Sequence, residues 1–332
     1  MADELKADVR HPQTIPIVFA IDDNVVVPCA VTLTSLLKNS RPETSYQVFI
    51  LYKETGLSAG NRERLSRSFH DSYRQDLCFM DVGDAFSDVP QMQRVTKATY
   101  YRLLIPTLFP QYDKIIYSDI DIIFQQDLSE LFAHSFPNGE LIAAVLDQAI
   151  DREFYFSSSL PAQIGKSVED YFNAGFLLMN LKRLRAENKV EEFQRLSKQK
   201  FPQNDQDVLN IVCNGRVQWL PSMYNFQTNH YANYMWGRDR SDIDFTELVK
   251  KATLHYTFRN KPWSTLECSL SDAWWHYYRL SPLFDNAFYF QRQYWRIEAA
   301  RNDYHNAKSK TLIIQLLGRL KKRIRNCFHP GK

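Results

Sequence analysis

"DKIIYSDIDIIFQQDL" (113–128) decides how the chain is read, because two apolar half-strands flank Asp119 and Asp121. In an extended chain, residues i and i+2 point to the same side, so these two carboxylates aim at one point. Burying two such charges without partners is costly, and their mutual repulsion adds to the cost. Two arrangements avoid that cost. In one, the strand ends near Asp119 and leaves the carboxylates at its carboxyl edge, where open α/β sheets place their ligands. In the other, a divalent cation sits between them, and oxygen ligands suit Mg²⁺ or Mn²⁺. A solvated turn or a helix cap is the plainer reading of an isolated DxD, and the apolar flanks disfavour it.

Working outward, the neighbouring segments alternate in type. "TIPIVFAID" (14–22), "YQVFILYK" (46–53), "LCFMDV" (77–82) and "KIIYSDIDIIF" (114–124) read as buried strands. Between them, "VVVPCAVTLTSLLKNS" (25–40), "SAGNRERLSRSFH" (58–70) and "ATYYRLLIPTLFP" (98–110) read as helices, the second beginning at a Ser cap. Alternation of this kind predicts parallel β-α-β units, with central strands apolar on both faces. Further on, "LIAAVLD" (141–147) and "FNAGFLLMNL" (172–181) are strand candidates, and "KVEEFQRLSKQK" (189–200) and "DQDVLNIVCNG" (205–215) are helical. Beyond about residue 265 the chain is aromatic-rich and reads as helical.

The bulk numbers narrow the function classes. The chain has 332 residues, 44% hydrophobic and 24% charged, which is a globular composition with ample core material. A formal net charge of +3 gives no reason to propose nucleic acid as a partner. The Cys count of five is odd and no pair has CxxC spacing, which predicts free thiols in a reducing compartment. The polar start "MADELKADVRHPQ" has no apolar signal core, and no stretch approaches the roughly 20 apolar residues of a spanning helix. A cytoplasmic location is expected.

Other polar clusters follow the strands. "AIDDN" puts Asp22, Asp23 and Asn24 just past the first strand, and Asp147 follows another. "FNAG" puts Asn173 beside the small Ala174 and Gly175, where backbone can approach a ligand closely. "NDQD" adds Asp205 and Gln206, and "LHYTFRNKPW" adds His255 and Lys261. Each has a plain alternative: Asp22–Asn24 as a turn, Asp205 as a helix cap.

With these residues in place the chain resembles glycosyltransferase family 8, which includes bacterial lipopolysaccharide galactosyl- and glucosyltransferases and the glycogenins. The similarity runs in order from about Ile15 to Trp263 through "IVFAIDDN", "TYYRLLIP", "DKIIYSDIDIIF", "YFNAGFLLMNLKRLR", "DQDVLN", "YNF" and "HYTFRNKPW". The resemblance implies a GT-A nucleotide-sugar fold, Mn²⁺ (with Mg²⁺ as the alternative) and hexose transfer from a UDP-sugar with retention at the anomeric carbon. It implies Asp119, Asp121 and His255 as metal ligands, Asp22 and Asn24 at the uracil and ribose pocket, and Lys261 on the diphosphate. Arg102, Asn173, Asp205 and Gln206 would surround the donor sugar, with Ala174 beside Asn173, and Asp147 would lie near the reacting sugars.

Two routes give retention. In a double displacement, Gln206 is a poor nucleophile and Asp147 and Asp205 are the carboxylate alternatives. In a same-face attack, the acceptor hydroxyl enters as UDP leaves, the departing phosphate acts as base, and Gln206 orients or shields the developing cation. The second is preferred. Two positions depart from the family pattern. Many relatives read HxxGxxKPW, and Phe258 stands here in place of the glycine. Val25 stands where several relatives have an aromatic that covers the uracil.

The resulting expectation is an α/β, GT-A type catalytic domain over 14–265, with a mostly parallel sheet flanked by helices. An aromatic-rich helical extension over 266–307 and a basic amphipathic helix over 308–332 would follow. That last segment has seven Lys/Arg between 308 and 325 and no acid after Asp303. Its apolar residues Ile313, Leu316, Leu317, Leu320, Ile324 and Phe328 recur every three or four positions, a pattern suited to an anionic bilayer surface. The expected partners are a UDP-hexose donor, an oligosaccharide or glycolipid acceptor and the inner face of the cytoplasmic membrane. Two rival classes are a metal-dependent nucleotidyltransferase and a nucleotide-sugar-binding protein without transfer activity. The absence of glycine from "AIDDNVVVPC" counts against the first, and Phe258 keeps the second open.

Overall fold

The computed structural model describes residues 13–70, 77–90, 97–148, 170–235, 244–266, 268–299, 301, 302 and 308. Ten strands occur among these residues. They are β1 (Gln13–Ala20), β2 (Thr44–Tyr52), β3 (Cys78–Asp81), β4 (Lys114–Ser118), β5 (Ile122–Ile123), β6 (Ile142–Leu146), β7 (Phe172–Asn180), β8 (Val217–Trp219), β9 (Phe226–Gln227) and β10 (Leu254–His255). Seven form the main sheet in the order β3-β2-β1-β4-β7-β6-β8, and β5, β10 and β9 form a small second one.

The main sheet is mostly parallel. β3, β2, β1 and β4 run together, as do β6 and β8. β7 alone opposes both its neighbours. β4 and β6 therefore point the same way, and β7 begins at the edge where they end. The central strands are buried on both faces, as their unbroken apolar runs predict. In β1, Ile17 and Phe19 enter one hydrophobic cluster and Val18 the other, all with no exposure. Each such side chain contributes roughly 1.5–3 kcal/mol by leaving water. The helix Val26–Lys38 follows β1 and buries Cys29, Ala30, Leu33 and Leu36 against the sheet. Ser58 caps the helix Ala59–Phe69 by accepting from Asn61 N.

Two expectations are corrected. The segment 98–110, read as an α-helix, is a 3₁₀-helix over Lys97–Leu104 followed by one α-turn, Ile105–Leu108. Ala98 and Tyr100–Leu104 are all buried there, so tertiary packing on every side overrides the 3.6-residue period. The segment 114–124, read as one strand, is two. β4 stops at Ser118, and pairing resumes at Ile122 in the other sheet. Between them Asp119 N donates to Gly175 O, and Thr32 Oγ1 donates to Ile120 O at 2.6 Å. The two aspartates thus sit in a break at the carboxyl edge of the main sheet, and the strand ends before Asp119 instead of running through it.

The helix Ser271–Leu280 belongs to the same compact unit as the sheet, where Asn39 Nδ2 donates to Tyr277 OH at 2.8 Å. Residues 264–266 and the helical stretch 286–299 belong to a second unit. Apart from Lys308, the basic segment 308–332 lies outside the described residues. Among the described residues no helix is long and apolar enough to cross a membrane.

The four described cysteines are free thiols. Burial pushes the Cys29 and Cys213 thiols up to about 12. Iodoacetamide at pH 8 is therefore expected to leave both unmodified in the native protein and to label them after unfolding, as read by peptide mass mapping. Rapid native labelling of either would contradict this packing.

Candidate active site

The sheet topology collects the polar clusters at one edge. Asp22 follows β1, Asp119 follows β4 and Asp147 follows β6, at the carboxyl ends of three parallel strands. Asn173 joins them because β7 runs the opposite way and starts there. The helix Asp205–Val212 brings Asp205 and Gln206 in its first turn. His255 arrives through the small sheet, where it pairs with Ile122 across an antiparallel ladder. Tyr256 N then donates to Asp121 O at 2.9 Å, which locks β10 beside the aspartates.

Asp119, Asp121 and His255 offer one ligand atom each, all within 4.8 Å of one another. His255 Nε2 lies 3.2 Å from Asp121 Oδ1 and 3.9 Å from Asp119 Oδ2. Asp121 Oδ1 is buried and accepts no hydrogen bond. A buried carboxylate oxygen left in this way is costly unless a cation takes its lone pair. Two carboxylates and an imidazole are a donor set for a first-row divalent ion, and the residues fit the group. Gly175 makes the approach possible: a Cβ there would meet His255 Cε1 at 2.3 Å and Asp119 Oδ2 at 2.8 Å. The small residue thus leaves room for the His255 and Asp119 side chains to approach the backbone.

The charges around Asp121 are settled by competition. Burial alone would raise its carboxyl pKa, but the neighbouring Lys261 ammonium overcomes that and holds it far below the usual range. Lys261 Nζ contacts Asp121 Oδ2 and also donates to Tyr256 O at 2.6 Å. The lysine expected at the diphosphate therefore rests on a metal-ligand candidate.

Arg102 lies beneath the site, 4% exposed. Its Nε is 2.8 Å from Asp205 Oδ2, its Nη2 is 3.1 Å from Asp119 Oδ1 and its Nη1 donates to Ala174 O. Its Nε also donates to Thr99 O, its Nη2 to Thr99 Oγ1, and its guanidinium stacks 4.5 Å over the Tyr117 ring. This is a brace joining three segments. Asp205 shares the enclosure and accepts from Thr99 Oγ1 at 2.7 Å. Burial pushes its carboxyl up to about 6 although Arg102 draws it down.

Asp147, Asn173 and Gln206 form a second cluster. Gln206 Nε2 and Asn173 Nδ2 both donate to Asp147 Oδ2, at 2.9 and 3.2 Å. Gln206 Oε1 accepts from Ala174 N at 2.9 Å. Asp22 caps the 3₁₀ turn Asp23–Val25 by accepting from Asn24 N at 2.9 Å. The turn reading of these two residues is correct, and Asn24 remains exposed. Phe258 adopts φ +65°, the left-handed region that favours glycine, and the residue is 60% exposed. Phe258 thus holds a backbone conformation that glycine adopts readily.

Sequence reasoning missed Tyr117, whose hydroxyl donates to Asp119 Oδ1 at 2.6 Å. Its signal was a lone phenol in an aliphatic strand, two residues before the first aspartate. Thr99 and Asn225 were also missed. Asn225 lay within the quoted "YNF" but carried no assigned role.

The family model of glycosyl transferase family 8 matches residues 16–267. The chain is 25% identical over 285 residues to the lipopolysaccharide 1,3-galactosyltransferase of Salmonella typhimurium, covering 80% of this chain and 81% of that one. It is also 25% identical over 269 residues to a lipopolysaccharide 1,2-glucosyltransferase of Escherichia coli, covering 77% and 75%. Among solved structures, the galactosyltransferase LgtC in complex with donor and acceptor sugar analogues aligns with a TM-score of 0.64 and 25% identity, over 82% of this chain and 99% of that one. The bifunctional glycosyltransferase WbbM aligns at 0.69 and 27%, over 84% of this chain and 51% of that one.

Replacing Gly175 by Ala is expected to weaken divalent-cation binding, probed with Mn²⁺, by at least about tenfold, the scale set by displacing groups around a metal. The far-ultraviolet circular dichroism should be unchanged. An electron paramagnetic resonance titration of free Mn²⁺ reads the affinity, and equal affinity in the variant would contradict the close approach of His255 and Asp119 over Gly175.

Proposed function

The chain belongs to glycosyltransferase family 8 and has the GT-A fold, and from that premise we propose that it moves galactose or glucose from a UDP-sugar to a glycan acceptor with retention of configuration. The observation that carries the proposal is the convergence, at one sheet edge, of an Asp119–Asp121–His255 cluster with Lys261 and a separate Asp147–Asn173–Gln206 cluster. The first cluster suits a diphosphate and its counter-ion, the second a ring of hydroxyls. The lipopolysaccharide galactosyl- and glucosyltransferases among the relatives support an acceptor in lipopolysaccharide or another surface polysaccharide.

Asp119, Asp121 and His255 would hold Mn²⁺ or Mg²⁺, which when bound neutralises charge developing on the departing diphosphate. Lys261 would add a cation at the same oxygens, an interaction stronger in the transition state than before it. Asp22 and Asn24 would meet the nucleoside, with Asp22 keeping a second carboxylate oxygen beyond its cap. Asn173, Ala174 and Gln206 would line the sugar, where fixed donors and acceptors reject a wrong hydroxyl arrangement. Arg102 and Asp205 would act from beneath by bracing Asp119 and Ala174. The hydrogen bonds on both ends of the Gln206 amide support an orienting role for it over a nucleophilic one. A same-face attack with the leaving phosphate as base is therefore the preferred route, with Asp147 orienting Gln206 and Asn173.

The basic segment 308–332 would hold the enzyme to the anionic inner face of the cytoplasmic membrane, next to a lipid-linked acceptor. Phe258 favours one rival reading, a UDP-sugar-binding protein without turnover. Its left-handed backbone supports retention of the glycine shape at that position.

The test is UDP release from UDP-galactose and UDP-glucose by the purified chain. Release is expected with one of the two in the presence of Mn²⁺, lost with a chelator, and reduced at least about 100-fold in Asp121→Asn. UDP-sugar binding without release under any condition would favour the rival, and full release in the presence of chelator would end the metal-dependent reading. Truncation after Ala307 is expected to preserve UDP release and abolish sedimentation with phosphatidylglycerol vesicles. Equal sedimentation by both chains would end the membrane assignment.

A further inference from the structure

The other ring nitrogen of His255, Nδ1, meets a chain of two amides, Asn225 and Asn173, that ends at Asp147. Gly175 N donates to Asn173 Oδ1 at 3.0 Å, and Asn173 Nδ2 faces the Asp147 carboxylate. A backbone N–H only donates and a carboxylate only accepts, so both partners fix the same orientation of the Asn173 amide. Asn225 Nδ2 then donates to Asn173 Oδ1 at 2.9 Å. This leaves Asn225 Oδ1 facing His255 Nδ1 at 2.9 Å. An amide oxygen carries no proton, so the proton between them belongs to Nδ1.

The small sheet makes this contact possible. β9 and β10 run parallel with Gln227 beside His255. Asn225, two residues before Gln227, therefore faces the same side as the imidazole. The chain of amides is dry: Asn225 is 0% exposed, His255 3% and Asn173 6%. No water competes to reorient it.

We infer that Asn225 is a positioning residue that sets the tautomer of His255, keeping the proton on Nδ1 and turning the Nε2 lone pair toward Asp121 Oδ1 and Asp119 Oδ2. With the opposite tautomer, Nε2–H would donate to Asp121 and the imidazole would no longer be a ligand. Imidazoles that bind metals commonly have their other nitrogen fixed by an acceptor in this way. The same amide chain joins Asp147, on the sugar side, to His255, on the metal side. Three hydrogen bonds thus connect the two clusters. This inference rests on the reading of Asp119, Asp121 and His255 as a metal site, and its first test needs no metal.

The experiment is ¹⁵N nuclear magnetic resonance of the metal-free full chain labelled at histidine, at pH 8, with the His255 signals identified by their loss in His255→Gln. The expected result is a proton on Nδ1. A bare Nδ1 with the proton on Nε2 would overturn the inference whether or not the site binds metal. Asn225→Ala is then compared with Asn225→Asp, which keeps an acceptor for Nδ1. Mn²⁺ affinity read by electron paramagnetic resonance is expected to fall about 10- to 100-fold in the alanine variant and to recover most of that loss in the aspartate variant. Equal loss in both, with folding intact, would assign Asn225 a packing role and overturn the inference. Failure of the unmodified chain to bind Mn²⁺ would instead count against the metal site, and the tautomer measured without metal would then decide the role of Asn225 by itself.

Discussion

Electrostatic repulsion between Asp119 and Asp121 is the constraint on which the rest of the site depends. With candidate ligand atoms within 4.8 Å, two unit charges repel by about 3 kcal/mol at an effective dielectric constant of about 20. That is a large fraction of a domain's net stability of roughly 5–15 kcal/mol. The chain accommodates it in two ways. It breaks the strand so that the carboxylates lie at an edge, and it sets Arg102 behind Asp119 and Lys261 beside Asp121. One cost is left over: the buried oxygen Asp121 Oδ1 has no hydrogen bond. The proposed cation would take up that remaining oxygen.

The fold serves this arrangement. A sheet with all strands parallel would bring only strand ends to the edge. Reversing β7 delivers a strand start there as well, so "FNAG" lies directly against the break after Ser118. The two-residue strands β5 and β10 are fully buried, and their pairing fixes His255 opposite Ile122. Small elements of this kind carry positional information out of proportion to their length. Gly175 shows how tight the fit is, because one additional carbon would displace either His255 or Asp119.

Much of this was legible in the sequence, and the boundary between legible and hidden has a physical basis. β1, β2 and β7 declare themselves because central strands need apolar side chains on both faces. The polar clusters declare themselves because Asp22, Asp119 and Asp147 each interrupt or follow such a run. The 3₁₀ form of 97–104 was hidden because burial on every side erases the period that separates helix types. The division of 114–124 was hidden because Ile122 and Ile123 are as apolar as Ile115 and Ile116, and apolarity alone does not say which sheet a residue enters. The burial of Arg102 and the role of Asn225 depend on contacts between segments far apart in the chain, which no local pattern encodes.

The most direct measurement is the anomalous difference density of a crystal grown with Mn²⁺ and UDP. One strong peak is expected in bonding contact with Asp119, Asp121 and His255 Nε2, with a phosphate oxygen of UDP completing the shell. UDP bound at the sheet edge with no ion among these three side chains, or an ion held elsewhere with His255 turned away, would contradict the metal-centred site.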